Sequence, residues 1–329
     1  MKIDRREFFT IGSVAAVGFV DPLGIFTLKG KAARSSDRDD WLNPGNGQPP
    51  QPPAQQPVSA PPKFEDVRRN VGVFTMRGGT IGWLINRDAV VVVDTQFPDT
   101  APACVDGLKQ RAANRGIDTV FNTHHHGDHT GGNAVMRGAA KRLLAHANAA
   151  EMLKKTPPGP NPPPMLPDAT FDKVWAQDFG DEKVTARYDG PGHTGGDAMI
   201  HFERAQVVHM GDLLFHERHP RVDRPAGASI QNWMKILERV TADMPADTIY
   251  IAGHSKEGLP VTVDRKAVLQ FRNYLDAALT LTRKGIAAGQ TKEALAATAA
   301  LPGFEGYQGG GVLSLSGVLN AAFDELSAR

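Results

Sequence analysis

NTHHHGDHTGGN, residues 122–133, sets the hardest condition on any fold for this chain. Four histidines and one aspartate occupy six consecutive positions, 124–129. The preceding residues, DTVF, read as a buried strand, and Gly127, Gly131 and Gly132 turn the chain toward a helix. On an extended backbone side chains alternate, so His124 and His126 project to one side and His125 to the other. Asp128 and His129 follow as the chain turns. One short loop thus supplies two ligands to one point and two more to a second point nearby. Burying so many titratable groups together is costly unless something pairs with them. A divalent cation would do so; the alternative reading is a surface histidine tract that binds metal adventitiously.

Metal ions held by such donors want four or more ligands, so the loop alone leaves both sets incomplete. The chain has one cysteine, Cys104, which excludes an intrachain disulfide and a thiolate-rich site. Cys104 itself reads as a small buried residue of an early helix. The missing ligands must be imidazole or carboxylate. Three candidates each end a predicted strand: His193 in GPGHTGGD, Asp212 in HMGDLLF and His254 in YIAGHSK. The set becomes His124, His126, Asp128, His129, His193, Asp212 and His254. These oxygen and nitrogen donors suit two zinc ions, and iron or manganese also accept them.

Around this set the chain divides into four stretches. Residues 1–33 place Lys2, Arg5 and Arg6 ahead of an apolar run, Phe8–Val20, too short to span a bilayer comfortably. This reads as an export signal, and the Arg5-Arg6 pair resembles a twin-arginine leader, which implies a periplasmic or otherwise exported protein. GKAARSS offers a weak cleavage site near Ala33, while LGIFTL leaves room for an uncleaved membrane anchor. Residues 34–63 form a Pro-rich linker, with eight prolines between 37 and 63. The folded domain spans 64–262, and 263–329 is a helical extension that packs on it or forms a homodimer surface. Within the domain, VGVFTMRG, TIGWLINR and AVVVVDTQ read as consecutive antiparallel strands. Helices are expected over 99–116 with Gly116 as the stop, over 134–142, 148–155 and 229–244 with Ser229 as N-cap, then over 264–284, 291–301 and 313–328. DTIYIAGH is the last clear strand. Residues 156–170 hold seven prolines and cannot be regular helix or sheet; they form a loop at the site mouth or on the plain surface. The formal net charge of +1 gives no basic field for nucleic acid, which leaves a small-molecule substrate.

THHHGDH, GPGHTGGD, GDLLF and AGH occur in that order, after VVVVDTQ. In these motifs the chain resembles the metallo-β-lactamase-fold superfamily over residues 70–260. The resemblance implies an α/β (α+β) fold: an αββα sandwich of two mixed β-sheets flanked by helices, with the metals at one edge and extra C-terminal helices. By position it implies His124, His126 and His193 on a first metal, Asp128, His129 and His254 on a second, and Asp212 bridging them. It further implies a nucleophilic hydroxide at the metal pair, oriented by Asp128 as the catalytic carboxylate, and Asp94 supporting the metal loops. His125 is expected to pack beside the ligands. His146, His201 and His209 are expected to be structural, and His216 and His219 either line the pocket or lie on the surface.

Asp212 separates the members of the superfamily. Its β-lactamases carry cysteine or serine at that place, and the cysteine group adds a lysine three residues on, where this chain has Phe215. The aspartate resembles glyoxalase II, lactonases and related esterases. Glyoxalase II fits poorly on two grounds: the export signal, and the lack of basic glutathione-binding residues near the C-terminus. The reading is an exported binuclear zinc hydrolase of an ester, thioester, lactone or lactam. The alternatives are a β-lactamase, or a mononuclear iron sulfur dioxygenase of the same fold using His124, His193 and Asp212.

Overall fold

The computed structural model describes residues 61–156 and 163–328. The export-signal and anchor readings, nearly all of the linker and the centre of the Pro-rich loop lie outside the described residues.

The described part begins with four antiparallel strands, β1 (Lys63–Arg68), β2 (Val71–Thr75), β3 (Ile81–Ile85) and β4 (Val90–Val93). Helix α1 (Ala101–Arg111) leads to β5 (Thr119–Asn122), which lies parallel to β4. Two short helices follow, α2 (Gly127–Thr130) and α3 (Asn133–Arg137), then β6 (Leu143–His146), α4 (Ala147–Lys154) and β7 (Ala169–Phe171). These strands form one seven-stranded mixed sheet in sequence order. The second sheet has the order β15-β13-β11-β10-β9-β8, built from β8 (Val174–Phe179), β9 (Glu182–Arg187), β10 (Met199–Phe202), β11 (Val207–His209), β13 (Ile249–Ile251) and β15 (Thr262–Val263). A two-stranded pair joins β12 (Phe215–His216) to β14 (His254–Ser255). Helices α5 (Ile230–Asp243), α6 (Arg265–Ala287), α7 (Lys292–Ala296) and α8 (Leu315–Ser327) complete the chain.

The strand period of two explains the layers. In β4, Val91 and Val93 face the inter-sheet core with Val71, Leu84, Phe121, Ile200, Phe202 and Ile251. Val90 and Val92 face the other way, onto Cys104, Leu108 and Met136 of the helices outside the first sheet. A strand apolar on both faces is a strand buried on both faces. Outside the second sheet, Trp233 of α5, Phe271 and Tyr274 of α6 and Val318 of α8 pack in one cluster with Val208 and Tyr250. The result is an αββα sandwich of two mixed sheets.

Several local expectations change. Helix α1 ends at Arg111 rather than Gly116, because Ala113 and Asn114 turn into the left-handed region at φ 50° and 63°. The helix expected over 134–142 stops at Arg137, since Lys141 donates to the Ile117 carbonyl and continues toward β6. β1, β7 and β8 were not anticipated, and β15 follows the strand expected to be last. The N-cap at Ser229 is present, its hydroxyl accepting from the Asn232 N–H.

Candidate metal centre

The seven residues converge at one edge of the sandwich. Loops at strand ends carry them: His124 to His129 run from β5 into α2, His193 lies in the loop between β9 and β10, Asp212 follows β11, and His254 opens β14 just after β13. His124 Nε2 and His193 Nε2 lie 3.1 and 2.9 Å from His126 Nδ1. Asp212 Oδ2 lies 3.4 Å from His193 Nε2 and 3.9 Å from His124 Nε2. In the second set, His254 Nε2 is 3.1 Å from Asp128 Oδ2 and 3.4 Å from His129 Nε2. Asp212 Oδ1 faces this set, 3.0 Å from His129 Nε2 and 3.5 Å from His254 Nε2. Tetrahedral zinc with metal–nitrogen bonds of about 2.0–2.1 Å needs its ligand atoms about 3.3 Å apart. Both sets fit that spacing.

The outward nitrogens of four rings each have a partner, which fixes the tautomers. His124 Nδ1 donates to Thr123 Oγ1 at 3.0 Å, and that hydroxyl donates to Asp94 Oδ2 at 2.8 Å. His129 Nδ1 donates to Asp94 Oδ2 at 2.7 Å. His193 Nδ1 donates to the Arg221 carbonyl at 2.7 Å, and His126 Nε2 to Asp223 Oδ2 at 2.8 Å. In the neutral form of each ring this bond leaves the unprotonated nitrogen facing inward, as a metal ligand must. Asp197 fixes the turn around His193 by accepting from Gly192 N, Thr194 N and Thr194 Oγ1.

The electrostatics demand positive charge. Burial opposes protonation of His129, but the carboxylates of Asp212, Asp94 and Asp128 outweigh it and raise its pKa well above the usual value. Burial likewise opposes a charged His254, yet Asp212 and Asp128 push it up to about 9. Asp212 and Asp128 are held well below the carboxylate range despite burial, by His254 and His129. On the three-histidine side burial dominates: it drives His124 well down and His193 to about 3. On that side neutral imidazoles stand beside the ionised Asp212, a donor set for a cation, and on the other side a cation would take the place of the protons that the carboxylates hold on His129 and His254.

The remaining histidines have other partners. His125 is half-buried, near His126 and Asp223, with no hydrogen bond to Nδ1. His146 stacks on Tyr188, His209 Nε2 donates to the Thr80 carbonyl, and His201 lies within β10. His216 Nδ1 donates to the Pro260 carbonyl, while His219 Nδ1 accepts from Tyr274 Oη; neither joins the ligand sets. Asp223, Thr123 and the Arg221 carbonyl were not anticipated. Phe215 is fully buried and stacks on His254, with ring centroids 5.5 Å apart. A cavity of about 400 Å³ opens beside the three-histidine set, lined by His125, His126, Met152, Lys155 and Asp223. A larger one, about 730 Å³, lies against the start of α6 and is lined by no histidine.

Comparison with known proteins agrees with this centre. The profile of the metallo-beta-lactamase superfamily matches residues 75–254. A metallo-beta-lactamase type 2 from Bacillus cereus is 24% identical over 203 residues, covering 59% of this chain and 77% of that protein. A hydroxyacylglutathione hydrolase from Methylococcus capsulatus is 31% identical over 136 residues, covering 41% of this chain and 47% of that protein. The chain thus spans about half the length of this second relative. Among solved structures, a metallo-beta-lactamase from Pontibacter korlensis superposes with a TM-score of 0.56 at 16% identity, over 66% of this chain and 99% of that one. With the fold, the ordered motifs and the profile in agreement, this chain belongs to the metallo-β-lactamase superfamily, whose related members are metal-dependent hydrolases.

Proposed function

We propose that the protein is an exported binuclear zinc hydrolase that attacks the carbonyl of a small-molecule ester, thioester, lactone or lactam. One observation carries this reading: the two oxygens of Asp212 face different ligand sets, Oδ2 the three-histidine set and Oδ1 the pair His129 and His254. A single iron held by His124, His193 and Asp212 would leave Asp128, His129 and His254 gathered without purpose. Two bound zinc ions would supply a hydroxide nucleophile near neutral pH and polarise the carbonyl oxygen.

The protein's own groups do the rest. Asp94, Asp223 and the Arg221 carbonyl aim the imidazoles. Asp128 keeps 30% of its side-chain exposure, against 4% for Asp212 and none for Asp94. It is the carboxylate placed to orient a water molecule and pass a proton to solvent. Phe215 props His254 from the core, so this position cannot reach a substrate carboxylate as a lysine would, which favours esters and lactones over β-lactams. The Arg5-Arg6 leader supports export of the folded protein to the periplasm. The test is hydrolysis of an aryl ester, a lactone and a chromogenic β-lactam by the zinc-loaded protein, with and without chelator. Chelator-sensitive turnover of the ester or lactone is expected. No turnover of any of the three with two zinc ions bound would overturn the reading.

A further inference from the structure

Helix α8 lies beyond the residues matched to the family, yet it reaches toward the metal centre. Its Glu325 side chain is only 7% exposed and meets the start of α5, some ninety residues earlier in sequence. Oε2 accepts from Ile230 N at 2.7 Å and from the Arg224 guanidinium at 3.3 Å. Oε1 accepts from Gln231 N and Ser229 Oγ, each at 3.1 Å, and from Gln231 Nε2 at 3.3 Å. The first amides of a helix lack intrahelical acceptors and carry the positive end of its dipole. A buried carboxylate there makes charge-assisted bonds that hold the helix start in place.

What Glu325 holds is the segment 221–229, and that segment is joined to the loop of His193. Asp223 N donates to the His193 carbonyl, Ser229 N to the Gly192 carbonyl, and Gly195 N to the Ala226 carbonyl. The same segment supplies the Arg221 carbonyl to His193 Nδ1 and the Asp223 carboxylate to His126 Nε2. Arg224, next to Asp223, is bound both to Glu325 and to the Ala228 carbonyl. The second set is aimed differently: His129 takes its orienting bond from Asp94, at the end of β4 in the other sheet.

We infer that Glu325 is a positioning residue for the three-histidine set, so that the C-terminal helix governs zinc affinity at that set alone. The inference rests on the proposed metal centre. It is tested by zinc titration of the metal-stripped full chain in two backgrounds: His254→Ala, which leaves the three-histidine set intact, and His193→Ala, which leaves the second. In the His254→Ala background, Glu325→Ala is expected to weaken zinc about tenfold, the lower range for lost orienting partners, and Glu325→Gln less. In the His193→Ala background neither changes affinity. Lys292→Ala serves as control, since Lys292 of α7 pairs with Asp324, the neighbour of Glu325 on α8, at 2.7 Å, and it leaves both affinities unchanged. Unaltered affinity in Glu325→Ala, equal weakening in both backgrounds, or the same loss from Lys292→Ala would overturn the inference. If Glu325→Ala does not fold, the shape-preserving Glu325→Gln decides. A parent His254→Ala chain that binds no zinc would instead remove the metal centre itself, and the inference with it.

Discussion

Asp94 shows how much one residue can be asked to do. It is fully buried, holds a left-handed φ of 67°, and accepts from Thr123 N, Thr123 Oγ1 and His129 Nδ1. Such a backbone costs about 1–3 kcal/mol and persists where the surroundings over-determine it. Asp94→Asn keeps the shape but turns an N–H₂ toward one of these donors. It is expected to weaken zinc binding about 10- to 100-fold, measured by competition with a chromophoric chelator; unchanged affinity would show that the contacts are incidental. The titrating rings give a second prediction, for the metal-stripped protein. His129 and His254 have raised pKa values, so the stability they add is full below their unfolded pKa of about 6.5 and is lost as pH rises toward 9. His124, His193 and His209 have lowered values, the last two near 3 and 4. Their contribution is full above about 6.5 and is lost as pH falls toward those values. Thermal unfolding should therefore show a stability maximum near pH 6.5, falling on both sides; a rise from pH 7 to 9 would contradict the raised pair. All seven converging residues were legible from spacing and order. Asp223 was not: it lies 30 positions after His193 in a segment without a motif, and only the folded path of 221–229 brings it to His126.

At the scale of elements, close backbone approach sets the centre. A Cβ on Gly253 would stand 2.1 Å from Asp212 Oδ1, and one on Gly79 would stand 2.2–2.7 Å from three atoms of the His129 ring. Gly253→Ala and Gly79→Ala should each cost about 1–3 kcal/mol of stability through overpacking and displace a ligand. Thermal unfolding with metal analysis checks both effects; variants with wild-type zinc content would show that the ligands can yield. Strands were legible where they were apolar, as with the all-buried β4. They were illegible where the sheet has an edge. β8 is exposed or half-exposed at five of its six positions, and Val174 is 59% exposed, so it carries no alternation to read. β1 is hidden for the same reason. Helix lengths were overread at α1 and α3: left-handed Ala113 and Asn114 end the first ahead of Gly116, and the second stops at its C-cap Gly138, after which Lys141 N bonds to the Ile117 carbonyl.

For the whole molecule, the αββα order of layers brings the ends of β4, β5, β9, β11 and β13 to one edge, which is why ligands spread over 130 positions meet. The C-terminal helices share a core with α5: Phe271 of α6 packs against Trp233 at 5.5 Å and Phe215 at 5.9 Å. Phe271→Ala should cost about 3–5 kcal/mol and lower the unfolding temperature accordingly; a shift within error would show that this contact is dispensable. The order of motifs revealed the superfamily and a cluster that could hold metal. The substrate was not legible, because the cavity beside the three-histidine set is lined by residues as far apart as His125 and Pro225, which only the fold brings together. A binuclear centre bridged by Asp212 is most directly tested by metal analysis of the zinc-loaded, dialysed chain beside Asp212→Ala. Two zinc ions per wild-type chain, with loss of zinc and of hydrolysis in the variant, is the expected result. One zinc per wild-type chain, or a variant that keeps both ions and full turnover, would contradict it.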